Sequence, residues 1–137
     1  MHDATVLSVK EMSVLRGERS VLDGVTLQVE RDQVLGVVGP SGAGKTTLLH
    51  CVLGLLPWTA GSVAWFGERV DRVRDPGWRA LRARVQPVFQ EPRESLPPHR
   101  AVGDVLAEVM RVHGIPASLS TSDRGQAVAR TLESVGL

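Results

Sequence analysis

Two hydrophobic periods alternate along this chain, and the switches between them mark its elements. Leu7–Val14 and Val25–Val29 read as short strands. In the second, Val25, Leu27 and Val29 point one way and Thr26 and Gln28 the other, the period of two of a half-buried strand. The polar stretch Arg16–Ser20 between them predicts a turn, and so an antiparallel pair. Val34–Val38 is almost continuously apolar, which suits a strand buried on both faces, as in a parallel sheet covered by helices. A glycine-rich turn follows, and Thr46–Leu56 then predicts a helix that Pro57 ends.

Val63–Phe66 and Val85–Phe89 are further strand candidates, with a helical turn or two predicted over Trp78–Arg84. Apolar residues at 102, 105, 106, 109 and 110 form a helical stripe over Val102–His113, which Gly114 and Pro116 stop. Ser120–Asp123 offers N-cap candidates for a last helix with Val128, Leu132 and Val135 on one face. This order of elements predicts an α/β domain with an N-terminal antiparallel section, without internal repeats or low-complexity tracts.

Composition narrows the function classes. The 137 residues carry 16 basic and 15 acidic groups, a balance of +1, which gives no support to a nucleic-acid binder. At 42% apolar residues the chain can build a core, yet no apolar run approaches the roughly 20 residues that span a bilayer. The single cysteine, Cys51, excludes an internal disulfide framework and points to a reducing, cytoplasmic compartment. Met1–Lys10 lacks the pattern of a secretory signal.

The chemistry concentrates at Gly39-Pro40-Ser41-Gly42-Ala43-Gly44-Lys45-Thr46, which fits G-x-x-x-x-G-K-[ST] in full. Glycines let successive backbone N–H groups curl toward one hollow, which opens onto the first turn of a helix, where unpaired amides and the dipole favour an anion. Lys45 is placed to reach the β- and γ-phosphates of a nucleoside triphosphate and the Thr46 hydroxyl to bind Mg²⁺, with Thr47 and its neighbours' amides completing the cradle. Lysine occurs only at positions 10 and 45, so a chance match is improbable. The motif also follows a buried-strand pattern and opens a helix, the context it requires.

Together with Thr47-Leu48-Leu49, this block and Val88-Phe89-Gln90-Glu91-Pro92 resemble the ATP-binding subunit of ABC transporters. Val21–Leu27, the charged turn at Glu30–Gln33, Leu53–Pro57 and Gly61–Val63 fall in that family's order, and Val88–Glu108 is most similar to the peptide and nickel importers. The resemblance covers essentially the whole chain. It implies a P-loop NTPase (ABC ATPase) core divided into an antiparallel β section over residues 1–33, a core over 34–90 and the start of a helical subdomain over 91–137. Residues 39–47 take the Walker A positions and hold ATP and Mg²⁺. Gln90 matches the Q-loop glutamine, which contacts Mg²⁺ and the attacking water, and the segment after it receives the membrane permease. The implied partners are therefore a permease and a second ATP-binding subunit or complementary C-terminal half, at the inner face of the cell membrane.

Two departures qualify that picture. Many family members stack an aromatic ring on adenine just after the first strand; Arg16 stands near that place, where it reads either as a guanidinium laid on the base or, more commonly, as a solvated turn residue, and the chain has no tyrosine. The signature motif, the Walker B aspartate, the catalytic glutamate and the switch histidine have no candidates, so the chain alone is expected to bind ATP without hydrolysing it. It is also expected to fold poorly without cover for Val34–Val38. The other readings weighed are a binding-only remnant of a split gene and a small P-loop kinase.

Of the remaining residues, the arginines at 69, 72, 74, 79, 82 and 84 read as a solvated surface among acids. Trp58, Trp65 and Trp78 read as partial core, Cys51 as a small buried apolar residue, and His2, His50, His99 and His113 lack metal-ligand spacing.

Overall fold

The computed structural model describes residues 5–70, 77–90, 96–114 and 121–137. It consists of two compact units, residues 1–86 and 87–137. The first is built on a four-stranded antiparallel sheet in the order β2-β1-β3-β4, from β1 (Thr5–Arg16), β2 (Arg19–Glu30), β3 (Ala60–Trp65) and β4 (Glu68–Val70). The predicted antiparallel pair is present and longer than its apolar stretches. The turn narrows to Gly17-Glu18, with Arg16 opposite Arg19.

β1 keeps one face buried by means of a bulge. Leu7 and Val9 point into the core, and so do Met12 and Val14, although simple alternation would bring Glu11 there. The register slips between Val9 and Met12, Glu11 adopts φ 49°, and its N–H donates to Thr26 Oγ1 at 3.0 Å. The extra residue turns a glutamate outward and restores the apolar face. Val9, Met12 and Val63 are fully enclosed there, each contributing about 1.5–3 kcal/mol by burial.

Helix α1 (Lys45–Val52) lays Leu48, Cys51 and Val52 on this core. It is shorter than the predicted Thr46–Leu56 because Gly54, at φ 65°, turns the chain before Pro57 is reached. A second cluster gathers Val70 with Trp78 and Leu81 of α2 (Gly77–Leu81), flanked by Trp58, Trp65 and Phe66. Trp58 and Trp65 are thus partial core, as expected, whereas Trp78 is fully buried in it. Arg84 lies 3.7 Å over the Phe66 ring, a cation–π contact of about 0.5–1 kcal/mol. Of the predicted arginine surface, Arg72 and Arg74 fall outside the described residues.

The apolar stretch Val34–Val38 is not a strand here. No sheet pairing includes it, and Val34 and Val38 are 95% and 92% exposed. Leu35 and Val37 instead border a cavity of about 390 Å³ whose other walls are Leu7, Leu27, Val29 and α1. The apolar pattern is real, but a strand needs neighbours to satisfy its backbone, and the described residues supply none. Val85–Phe89 likewise forms no strand, with Val88 and Phe89 exposed.

In the second unit, α3 (Val102–His113) has its predicted boundaries and ends at Gly114 in the left-handed conformation, whose N–H caps the Met110 carbonyl. Arg100 braces its first two turns by pairing with Glu108 and donating to the Asp104 carbonyl at 3.3 Å. α4 (Thr121–Ser134) buries Val128 and packs with Leu132 beside Gly103 of α3. Of its predicted N-cap residues, Ser120 lies outside the described residues. No described helix is long and apolar enough to cross a membrane.

Candidate nucleotide-binding site

The first unit brings residues 39–47 together as one loop leading into α1. The chain reaches the helix through Gly44, which is its N-cap at φ 89°. A Cβ there would lie 2.8 Å from the Val21 carbonyl oxygen and 2.8 Å from Leu22 Cδ2. Both the left-handed turn and the close approach of β2 therefore demand glycine. α1 propagates from this point through the Leu48 N–H bond to the Gly44 carbonyl at 2.8 Å.

The N-terminus of α1 is open to an anion. No side chain caps it, and its first turn holds no acidic residue. Ordinary helices fill this position with Ser, Thr, Asp or Asn, and the vacancy leaves the first amides and the dipole free to act on a phosphate. Thr46 is exposed and Thr47 half-buried. The Lys45 ammonium donates to the carbonyls of Gly39 and Pro40, both at 2.7 Å, and so folds back across the loop. A phosphate would compete with these two carbonyls for the same donor hydrogens. The loop residues thus fit the tail of a nucleoside triphosphate.

Mg²⁺ finds one hydroxyl oxygen at Thr46, and no cluster of three metal-ligating side chains exists among the described residues. Such an ion would arrive with the nucleotide, held mainly by phosphates and water. The 390 Å³ cavity, although Lys45 and Thr46 touch one end, is walled chiefly by leucine and valine and does not suit a triphosphate.

Arg16 is exposed at the end of β1 and is close enough to Cys51 to lower its thiol pKa, against a larger upward push from burial. Cys51 is enclosed, as expected of a small apolar residue. Gln90 is exposed and belongs to the second unit, whereas the loop belongs to the first.

The ABC transporter family profile matches residues 22–137, most of the chain and all of residues 39–47. The chain belongs to the ABC transporter family. Among similar proteins, a Brucella abortus peptide import ATP-binding protein is 41% identical over 125 residues, covering 88% of this chain and 36% of that protein. The oligopeptide transport ATP-binding protein OppF of Escherichia coli is 41% identical over 92 residues, covering 67% of this chain and 28% of OppF. The chain thus spans about a third of the length of these relatives. Among solved structures, CbiO1 from Clostridium perfringens, part of the ABC transporter complex CbiONQ, matches 98% of this chain and 51% of its own. Its TM-score is 0.74 at 22% identity, which establishes the shared fold. That fold is the expected α/β ABC ATPase core with its antiparallel section.

Sequence reasoning missed two parts of the site. One is the Lys45 bridge to the loop carbonyls, which no spacing rule encodes. The other is the close approach of β2 to Gly44, where the Val21 carbonyl and Leu22 leave no room for a Cβ, a contact between residues far apart in the chain.

Proposed function

We propose that this chain is the nucleotide-holding part of an ABC importer's ATP-binding subunit, with peptides as the cargo class. The observation that carries the reading is the uncapped, acid-free N-terminus of α1, entered through Gly44, with the Lys45 ammonium folded onto the carbonyls of Gly39 and Pro40 in the same loop. ATP binds through the amides of residues 39–47, with Lys45 on the β- and γ-phosphates and Thr46 on Mg²⁺. Gln90 completes the metal and water contacts once nucleotide is in place. Arg16 lies on the adenine side, where its guanidinium stacks on the base. The names of the Brucella and Escherichia relatives support the peptide class.

The segment following Gln90 docks on a membrane permease at the inner face of the cell membrane. Strands from the rest of the ATPase domain flank Val34–Val38 and fill the apolar cavity beneath it. The groups that polarise water reside in that remainder, so hydrolysis and its coupling to transport need both parts. The test is to mix the chain with a complementary polypeptide from a relative, starting beyond the matched region. ATPase activity that appears only in the mixture, and disappears with Lys45→Ala, supports the reading. Hydrolysis by the isolated chain, or none in a stably associated mixture, overturns it.

A further inference from the structure

The C-terminal end of α1 is closed with unusual completeness, and two tryptophans distant in sequence take part. A helix leaves its last carbonyls unsatisfied. Here the Leu49 carbonyl receives the Leu53 N–H at 3.1 Å, the His50 carbonyl the Leu55 N–H at 2.8 Å, and the Cys51 carbonyl the Gly54 N–H at 2.9 Å. The last two bonds, with Gly54 left-handed, form a Schellman motif. It leaves the Val52 carbonyl over. The Trp65 indole N–H, from β3, donates to that oxygen at 2.8 Å. The Trp78 ring of α2 lies so close over Gly54 that a Cβ there would fall inside it.

We infer that Trp65 and Trp78 are positioning residues for nucleotide binding, holding α1 from behind so that its N-terminus stays aligned with the loop of residues 39–47. This inference rests on the reading of that loop as an ATP site. α1 has only 8 residues, too few to be stable by itself, so its placement comes from tertiary contacts. The sheet core grips its flank through Leu48, Cys51 and Val52, and the two indoles fix its end. Trp65 also ties the helix to the β3–β4 hairpin, so a shift of either element is felt at the amides that face phosphate.

The decisive variant is Trp65→Phe, which keeps the aromatic bulk and removes the N–H. So short a helix is only marginally held in its aligned state in the free protein, so losing one hydrogen bond of ordinary strength lowers the aligned fraction by nearly the full factor, and apparent affinity falls with it. About fivefold weaker binding of MgATP is expected, with the same factor for inorganic tripolyphosphate, because the effect acts at the phosphate end. Trp58→Phe, in the same cluster, serves as control and leaves both affinities within about twofold. Equal weakening by the two variants, or unchanged affinity in Trp65→Phe, overturns the inference. Should the unaltered chain bind neither ligand, the ATP reading fails first. The positioning role is then decided by hydrogen exchange at the amides of Leu48–Val52. Faster exchange in Trp65→Phe than in Trp58→Phe supports the role, and equal exchange rejects it.

Discussion

Placing a charge at position 34 separates what the chain does by itself from what it does when its sheet is completed. Val34 is 95% exposed, so Val34→Lys removes almost no buried surface from the chain alone. Surface substitutions of that kind change stability by about 0.5 kcal/mol at most. If strands of a complementary polypeptide flank this segment, the same valine becomes buried on association, contributing about 1.5–3 kcal/mol. A lysine in its place loses that contribution and adds the cost of desolvating an unpaired ammonium. The loss of burial alone weakens association tenfold to more than a hundredfold, taking about 1.4 kcal/mol per factor of ten. Urea unfolding of the chain and a titration with the complementary half, each for both forms, measure the two quantities. A chain destabilised by more than about 1 kcal/mol, or an unchanged association constant, would refute the assignment of Val34–Val38 as a strand awaiting neighbours.

Other expectations concern the loop, the buried thiol and the second unit. Gly44→Ala forces a left-handed alanine against the Val21 carbonyl and should cost about 2–4 kcal/mol. Gly42→Ala has the same backbone problem at φ 80° but open space around it, so only about 1–2 kcal/mol is expected, and equal losses in denaturant melts would contradict the close approach at Gly44. Burial pushes the Cys51 thiol pKa up, with Arg16 partly opposing it, so the folded state favours the neutral thiol. Its contribution to stability is complete below the ordinary thiol range and is lost as pH rises through the raised value. Alkylation should be slow in the native chain and fast in urea; equal rates would count against enclosure. The Arg100 guanidinium holds the Glu108 carboxyl below its usual range, chiefly by hydrogen bonding. The pairing on α3 is therefore present above the usual carboxylate range and lost as pH falls through the lowered value. A carbon-detected titration of Glu108 reads this directly, and Arg100→Gln should raise it toward the ordinary range.

Much of the architecture is legible in the residues. The G-x-x-x-x-G-K-T run defines a loop and a helix start because its glycines serve backbone geometry, and backbone geometry is local. Val102–His113 is equally plain, since its stripe and its terminal Gly114 act within one helix. Met12 and Glu11 show where local reading runs out. The bulge that exchanges their faces depends on pairing with Thr26, fifteen residues away. Val34–Val38 shows a second limit, because an apolar run that suits a buried strand forms none where the described residues supply no neighbouring strands. The Trp65–Val52 bond is a third, a side chain capping a helix from another element, which no periodicity encodes.

Equilibrium titration of the purified chain with MgATP, beside Lys45→Ala, tests most directly whether the loop of residues 39–47 grips a nucleotide. Removing one charged donor to the phosphates should weaken binding at least tenfold, as expected for a charge-assisted hydrogen bond of about 1.5–3 kcal/mol. Identical isotherms for the two proteins would contradict the assignment of Lys45 to the phosphates and, with it, the nucleotide site.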